Sequence, residues 1–185
     1  MKEIRLHGRG GQGMLMASEI LVHAALIDGL YGTSIPQFGF ERRGSPVTAS
    51  VRIDDKPIRE KTQIYEPDCI IVSDQTLLGS VNVFEGIRDG TIMVLNSVGN
   101  LDTLDLPPQV KRLGLIDATK IALEILGVPV TNTAMVGAFA KTAEWIRVTS
   151  VLEGIKQVLP KELIKKNVET SRRAAEEIRI IELAG

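Results

Sequence analysis

The feature that most constrains how this chain folds is a glycine-rich turn near its amino terminus, Gly8-Arg9-Gly10-Gly11-Gln12-Gly13. A short strand-like stretch, Ile4 to His7, precedes the turn, and a long helical stretch from Met14 to Leu26 follows it. Strand, G-x-G-x-x-G turn and helix in this order open a doubly wound α/β domain. Glycines permit the tight bend and a close approach of the backbone to a ligand, and free N–H groups at a helix start attract anions. The turn is therefore both a fold signal and a candidate anion site.

The turn is an incomplete signature of a dinucleotide site. Such a site also has an acidic residue about 20 positions further on, at the end of the second strand. Asp28 has nearly this spacing, but it falls in the last turn of the predicted helix, just before Gly29. The predicted second strand, Tyr31 to Phe38, offers only Gln37 at its end. NAD binding is therefore disfavoured, and two interpretations stay open: the turn only shapes the bend, or it binds an anion.

Length and composition indicate one globular domain, residues 1–185, with 44% hydrophobic and 24% charged residues. The formal net charge of −1 gives no global attraction to nucleic acid or acidic lipid. No apolar run approaches the roughly 18 residues that a membrane span needs. Met1-Lys2-Glu3 leads directly into a strand and does not resemble a signal peptide. We expect a cytoplasmic protein without nucleic-acid or membrane partners.

Cysteine and histidine give no sign of a metal or cluster site. The one cysteine, Cys69, lies in the apolar run Cys69 to Val72 and is expected to be a small core residue. One cysteine cannot supply the thiolates of an iron–sulfur cluster or form an internal disulfide. His7 and His23 have no ligand-like spacing, and His23 shares a helix face with Glu19, which indicates a surface contact. We expect no metal bound by this chain and no catalytic residue on it.

The loop that follows the second predicted strand is richer in binding residues than a spacer needs. It contains Phe38, Phe40, Glu41, Arg42 and Arg43 among prolines and glycines, and it should emerge at the carboxyl edge of the sheet. Phenylalanine and arginine are enriched at interfaces, and arginine can grip a carboxylate or phosphate with two prongs. The alternative is a surface ion pair between Glu41 and one arginine, worth about 0–1 kcal/mol. We favour an interface or ligand-binding loop.

The remaining chain reads as alternating strands and helices. Val47 to Ile53 is predicted as a strand, followed by a turn and a short return strand from Ile58, which together form an inserted β-hairpin. Two unbroken apolar runs, Cys69 to Val72 and Ile92 to Leu95, are typical of strands buried on both faces. A weak helix is predicted between them, from Gln75 to Arg88. The strand ends carry Ser73, Asp74, Asn96 and Ser97, which should meet at the carboxyl edge or serve as caps.

The carboxy-terminal part is predicted to be mostly helical. Asp117 should cap a helix that runs to about Leu126, and further helices are predicted over Met135 to Trp145, Ser150 to Leu159 and from Pro160 onward. The first helix of the chain is apolar nearly all round, so a second element must cover it: another chain, or the chain's own C-terminal helix. The predicted fold is Rossmann-like α/β, a mostly parallel sheet flanked by helices with an inserted β-hairpin.

The glycine turn combined with Phe40-Glu41-Arg42-Arg43-Gly44-Ser45-Pro46-Val47 and the stretch Arg52 to Ile58 resembles one family. It is similar to the gamma subunit of the 2-oxoacid:ferredoxin oxidoreductases, which act on pyruvate, branched 2-oxoacids or 2-oxoglutarate. Asn132-Thr133-Ala134-Met135-Val136-Gly137-Ala138 also looks like a segment of that family. The resemblance extends over the full chain.

The resemblance implies a role inside a complex. Its enzymes use thiamine diphosphate with Mg²⁺ to decarboxylate a 2-oxoacid, pass electrons through iron–sulfur clusters to ferredoxin, and form an acyl-CoA, or run in reverse. The chain lacks the Gly-Asp-Gly and following Asn that thiamine-binding chains of this kind show. It is therefore expected to be a non-catalytic assembly subunit beside thiamine-binding and iron–sulfur chains. Its glycine turn and the loop with Arg42 and Arg43 would contact those chains and help to seat coenzyme A.

Two other functions remain open from the sequence. One is a self-sufficient NAD- or FAD-dependent oxidoreductase, for which Asp74 is the one fair catalytic candidate in the crevice. The other is a stand-alone module that binds an adenine nucleotide without catalysis. Both predict that a free nucleotide stabilises the isolated chain, by about 2.7 kcal/mol at 100 times its dissociation constant.

Overall fold

The computed structural model describes residues 1–36, 43–99 and 104–183. Within this part of the chain the elements are, in order, β1 (Lys2–Arg9), α1 (Met14–Ile27), β2 (Tyr31–Pro36), β3 (Pro46–Asp54), β4 (Cys69–Val72), a 3-10 helix (Gln75–Gly79), β5 (Thr91–Asn96), β6 (Val110–Ile116), α2 (Ala118–Leu126), α3 (Asn132–Ala143), α4 (Val148–Val158), α5 (Lys161–Glu177) and β7 (Arg179–Glu182).

The strands form a seven-stranded mixed sheet in the order β2-β3-β1-β4-β5-β6-β7. The four strands β1, β4, β5 and β6 run parallel, with Leu6 beside Ile71 and Ile71 beside Val94. β3 runs antiparallel to both β1 and β2, and β7 runs antiparallel to β6. The α/β class predicted from the sequence is confirmed, with the parallel part confined to these four strands.

The two faces of the sheet are covered differently. On one face Ile4, Leu6, Ile71 and Val94 belong to a core cluster to which all five α-helices contribute. On the other face the central strands pack under the 3-10 helix and irregular segments around residues 78–87 and 104–106. Cys69 is fully buried in the first cluster, as predicted. Because β4 is buried on both faces, its sequence is a continuous apolar run.

On the face of the sheet that the α-helices cover, the helices form two layers, and glycine residues allow the layers to approach closely. α1 and α3 lie against the sheet, α4 packs on α1, and α5 packs on α3. A Cβ atom on Gly137 would stand 2.1 Å from the carbonyl oxygen of Ser171, and one on Gly154 would stand 2.9 Å from that of Ile20. α4, rather than the C-terminal helix α5, therefore covers part of the second apolar side of α1, whereas Leu15 and Leu26 stay 44% and 51% exposed.

The hairpin that contains β3 is formed with a different strand from the one predicted. The segment 55–68 contains no strand, so the return strand from Ile58 is wrong. The antiparallel partner of β3 is instead β2, which precedes it. The physical reason is edge availability: β3 pairs with β1 on one side and β2 on the other, which leaves no free edge for a further strand.

Two other elements differ from the predictions. The weak helix expected over Gln75 to Arg88 is limited to the 3-10 helix Gln75–Gly79. Further on, Gly86 turns back with φ of 71°, where a Cβ would lie 1.8 Å from the carbonyl oxygen of Tyr65. At the other end, the last helix stops at Glu177 and the chain forms β7, which the sequence analysis did not predict.

Candidate functional site

A crevice of about 980 Å³ lies at the carboxyl ends of the parallel strands. The turn after β1 forms one wall, the ends of β4 and β5 form the floor, and the start of α2 forms the opposite wall. Ser73, Asp74, Asn96 and Ser97 all line it, as predicted from their positions after the strands. Open α/β sheets bind ligands at this edge, and the volume is that of a small-molecule site.

The glycine turn brings the first strand and the first helix into close contact. A Cβ on Gly8 would lie 2.4 Å from Cγ of Met14. Gly13 adopts φ of 75° at the start of α1 and leaves room for the amide nitrogen of Asn132, which a Cβ would approach to 2.6 Å. Both positions therefore require glycine, one for packing and the other for packing and a left-handed backbone.

The amino terminus of α1 carries no side-chain cap. Gly13 holds the cap position, the first helical hydrogen bond runs from Ala17 N to Gly13 O over 2.9 Å, and the first turn contains no acidic residue. The first N–H groups of a helix have no partner inside it and carry partial positive charge. An anion placed at this helix start meets donors and a favourable dipole.

Gln12 is held in one orientation by its own turn and by β4. Its Oε1 accepts hydrogen bonds from Arg9 N at 2.7 Å and from the Ser73 hydroxyl at 2.8 Å. The amide Nε2 has no partner among the described residues. Because Gln12 lines the crevice, this nitrogen is a donor available to a ligand.

Arg9 is a structural residue of the turn as well as a crevice residue. Its Nε donates to Asp74 Oδ2 at 2.8 Å, and the two terminal nitrogens donate to Gly44 O at 3.1 Å and Thr76 Oγ1 at 2.7 Å. Burial raises the pKa of Asp74, but hydrogen bonds from Thr76 and Arg9 outweigh it and hold that pKa below its ordinary value. Asp74 is thus a paired carboxylate and the cap of the 3-10 helix, which argues against a catalytic acid or base.

Asn96 locks the floor of the crevice to the start of α2. Its Nδ2 donates to Ser73 O at 2.8 Å and to the Thr119 hydroxyl at 2.9 Å, while Oδ1 accepts from Ala118 N at 2.9 Å. Asp117 caps the same helix by accepting from Lys120 N at 2.9 Å, as predicted. The crevice floor is therefore a rigid, hydrogen-bonded surface.

Two cationic side chains reach the crevice without an ion pair in the described part of the chain: Arg43 and Lys120. Arg43 is exposed, and its Cγ lies 3.8 Å from where a Cβ on Gly11 would stand. Lys120 belongs to the first turn of α2 and was missed in the sequence analysis, although it follows the predicted cap Asp117 by three residues. The other loop candidates, Phe38, Phe40, Glu41 and Arg42, lie outside the described residues, as does Gln37.

The far wall of the crevice is apolar and exposed. Val98, Leu123 and Val128 line it with exposed fractions of 75%, 49% and 48%. Large aliphatic side chains with this exposure mark a surface that contacts a ligand or partner when they cluster beside a cleft. Sequence reasoning missed them because they come from three separate loops and helix turns.

Asp28 follows the glycine turn at nearly the spacing of an acidic residue that binds the ribose of a dinucleotide, but its side chain lies away from the crevice. Its carboxylate accepts hydrogen bonds from Arg147 N and Nε at 2.7 Å each and from the Ser150 hydroxyl. Burial raises the pKa of Asp28, but these hydrogen bonds outweigh it and hold the pKa below its ordinary value. Asp28 therefore joins α1 to α4 and is not a crevice residue.

The described residues contain no group of three or more His, Cys, Asp and Glu side chains placed to hold a metal ion. In the same part of the chain, no helix has the length and hydropathy needed to cross a membrane. His23 lies on the surface, where its Nδ1 is 2.9 Å from Gln157 Oε1. Its side-chain partner is therefore Gln157 and not Glu19, the residue expected from the helix spacing.

Comparison with known proteins identifies the family. The family model described as pyruvate ferredoxin/flavodoxin oxidoreductase matches residues 3–177. The chain belongs to this family. The pyruvate/ketoisovalerate oxidoreductases common subunit gamma of Thermococcus litoralis is 49% identical over 185 residues, 99% of this chain and 100% of the relative. The pyruvate synthase subunit PorC of Methanothermobacter thermautotrophicus is 47% identical over 178 residues, 96% of each chain.

Solved structures agree with this assignment. The pyruvate oxidoreductase subunit PORC of Thermotoga maritima superposes with a TM-score of 0.84 at 33% identity, covering 98% of each chain. A 2-oxoglutarate:ferredoxin oxidoreductase of Magnetococcus marinus, solved with 2-oxoglutarate, coenzyme A and succinyl-CoA, shares the fold with a TM-score of 0.72 at 18% identity. The match covers 95% of this chain and 31% of that one. The resemblance to gamma subunits drawn from the sequence is confirmed, and this chain is a gamma-type subunit of the family.

Proposed function

We propose that this gamma-type subunit works in a complex that converts a 2-oxoacid and coenzyme A to an acyl-CoA, with ferredoxin as the electron acceptor, or in the reverse direction. Thiamine diphosphate, Mg²⁺ and iron–sulfur clusters would be held by the partner chains. Cys69, the one cysteine of the sequence, is fully buried in the core and unsuited to ligate a cluster. The subunit's own contribution is to assembly and to the binding of coenzyme A.

The observation that carries the coenzyme A proposal is the two-sided chemistry of the crevice. The wall at the glycine turn presents the free amide of Gln12 and the cation Arg43. The opposite wall, at α2, presents Lys120 beside the exposed aliphatic side chains Leu123 and Val128, and it also carries Asp117 and Glu124. Coenzyme A has parts that match both kinds of group, since its nucleotide end carries phosphates and its pantetheine arm is uncharged, with aliphatic groups between its amides. Phosphates suit helix starts and cationic side chains, and the arm suits the wall at Leu123 and Val128.

Presence of coenzyme A in the Magnetococcus marinus enzyme supports this proposal, because that enzyme contains the same fold within a longer chain. The exposed position of Arg43 and of the apolar wall also suits contact with the catalytic chains. The glycine turn then serves two purposes: it fixes the packing of β1 on α1, and it lines the crevice with Gly10, Gly11 and Gln12.

The decisive experiment measures steady-state kinetics of the intact complex with Lys120→Gln and Arg43→Gln in this subunit. Loss of one charged contact to a phosphate should raise KM for coenzyme A about 5- to 30-fold in each variant, with kcat and KM for the 2-oxoacid unchanged. Lys156→Gln is the matched control, because Lys156 is an exposed lysine on α4 that pairs with Glu153, away from the crevice.

Two failures are distinguishable. If KM for coenzyme A stays at the wild-type value in both variants, the crevice does not bind coenzyme A, and the family assignment is untouched. The second experiment purifies a tagged chain from its host under gentle, anaerobic conditions. If no thiamine- or cluster-binding chains co-purify with it, and the sample does not reduce a viologen dye when a 2-oxoacid is added, the assembly role is wrong. In that case, stabilisation of the isolated chain by NAD or FAD would become the next measurement.

A further inference from the structure

The face of the sheet opposite the α-helices has a polar interior at β1 and β3. Along β1, Ile4 and Leu6 face the helices, so the alternate residues Arg5 and His7 face the other way. Both are nearly inaccessible, with exposed fractions of 5% and 6%. They line a cavity of about 210 Å³ together with Thr48, which pairs with His7 across the strands.

Arg5 is a buried cation whose hydrogen bonds are incompletely used by the protein. Its Nε donates to His7 Nε2 at 3.0 Å, and one terminal nitrogen donates to the carbonyl oxygens of Val83 and Glu85. The other terminal nitrogen, Nη1, has no partner among the described residues, and Glu85, the carboxylate that attracts the Arg5 charge, is exposed and forms no ion pair with it. A buried charge in this condition is costly unless a further group compensates it.

His7 adds a second unpaired donor. Because Nε2 accepts from Arg5, the proton of the neutral ring is on Nδ1, and Nδ1 has no partner among the described residues. Burial and the neighbouring charge of Arg5 lower the pKa of His7 to about 3, so the ring is neutral at physiological pH. Neither Arg5 Nη1 nor His7 Nδ1 is among the fully enclosed unpaired atoms, so both keep access to open space.

The Thr48 hydroxyl is a third polar group in this cavity that lacks a hydrogen-bond partner in the described part of the chain, and it is not fully enclosed. Gln63, Asn82 and the exposed side chain of Glu85 complete the polar lining. The cavity therefore presents a guanidinium nitrogen, an imidazole N–H and a hydroxyl to whatever occupies it.

We propose that this cavity is a binding site for a small monovalent oxyanion, such as a carboxylate of one or two carbons. Arg5 Nη1 and His7 Nδ1–H bind its oxygens, and the Thr48 hydroxyl provides a third contact. Glu85 is exposed and forms no ion pair with Arg5, so the buried guanidinium is the charge closest to the unpaired donors and disfavours a cation there, and the polar lining disfavours an aliphatic ligand. The cavity volume accommodates an anion of this size with a few waters, since a water takes about 30 Å³ in the liquid. The inference rests on different residues from the proposed coenzyme A crevice and does not depend on it.

The test follows the histidine rings of the full chain by ¹⁵N NMR during titration with sodium formate. The reference is a titration with the sodium salt of morpholinoethanesulfonate, an anion too bulky for the cavity, at equal ionic strength. The His7 Nδ1 resonance should shift saturably with formate only, in an Nδ1–H tautomer throughout. The second histidine, His23, lies on the surface, serves as an internal reference and is assigned through His23→Gln.

A matched pair of variants tests whether the anion binds beside Thr48. Thr48→Val keeps the shape of the residue and removes the hydroxyl, so it should weaken formate binding about two- to tenfold. Thr33→Val makes the same change on the edge strand β2, away from the cavity, and should leave the affinity unchanged. If His7 does not respond, responds equally to both salts, or responds with the same affinity in Thr48→Val, the cavity holds water only and the proposal is wrong.

Discussion

Acidification should destabilise this fold through one residue, His7, well above the range in which its carboxylates titrate. The pKa of His7 is lowered from an ordinary value of 6.5 to about 3 by burial and by Arg5. Between these two values the unfolded chain binds a proton that the folded chain does not. The free energy of unfolding therefore falls as pH falls below 6.5, by about 1.4 kcal/mol per pH unit. Between pH 7 and pH 5 the expected loss is about 2 kcal/mol.

The assay is urea unfolding of the full chain at pH 7, 6 and 5 in a bulky-anion buffer, for wild type and His7→Gln. Glutamine retains an oxygen that can accept from Arg5 Nε, but it does not titrate. The variant should therefore lose about 2 kcal/mol less than wild type over this range, whatever its stability at pH 7. Asp28 and Asp74, whose pKa values lie below 3.8, contribute only at lower pH. Equal pH dependence in wild type and variant would refute the assignment of a buried neutral His7.

Three further predictions concern packing and capping, and each is measured by urea or thermal unfolding. Gly137→Ala should cost about 1–3 kcal/mol, because its Cβ would reach 2.1 Å from the Ser171 carbonyl oxygen, whereas Gly79→Ala, with no atom within 4 Å, should be near neutral. Asn96→Ala should cost about 2–3 kcal/mol, because it leaves the start of α2 and a buried carbonyl without their partner; a loss under 0.5 kcal/mol would contradict this role. Asp28→Asn should cost about 1–2 kcal/mol at pH 7, and the difference should disappear as pH falls below 3.8, since the carboxylate is stabilised in the fold.

The sequence predicted those elements whose signals are local. The glycine turn, α1 and the two apolar runs each contain their own pattern, and all three appear where expected. Asp117 as a helix cap is equally local, because the cap and the N–H that it accepts are three residues apart. The family resemblance came from several such local segments taken together, and the comparisons confirm it.

The elements that were missed depend on contacts distant in sequence. Nothing in residues 46–54 indicates that β3 inserts between β1 and β2, since alternation fixes the faces of a strand but not its neighbours. β7 is four residues long, and the apolar step at Ile178 continues the helical stripe before it. Lys120 lines the crevice because β6 and α2 place it opposite the glycine turn, which its local sequence does not indicate. Site prediction was weaker than fold prediction for the same reason.

Strand β1 serves both proposed sites, and the geometry explains how it does so without making them one. Its side chains alternate, so Arg5 and His7 face the polar cavity while the main chain continues into the glycine turn. The carbonyl oxygen of His7 accepts from Ser73 N at 2.9 Å, and the Ser73 hydroxyl in turn holds Gln12 at the crevice. The cavity therefore uses the ring of His7, and the crevice uses its backbone. A substitution of the His7 side chain retains the carbonyl oxygen on which Ser73 and Gln12 depend, so the two sites can be altered separately.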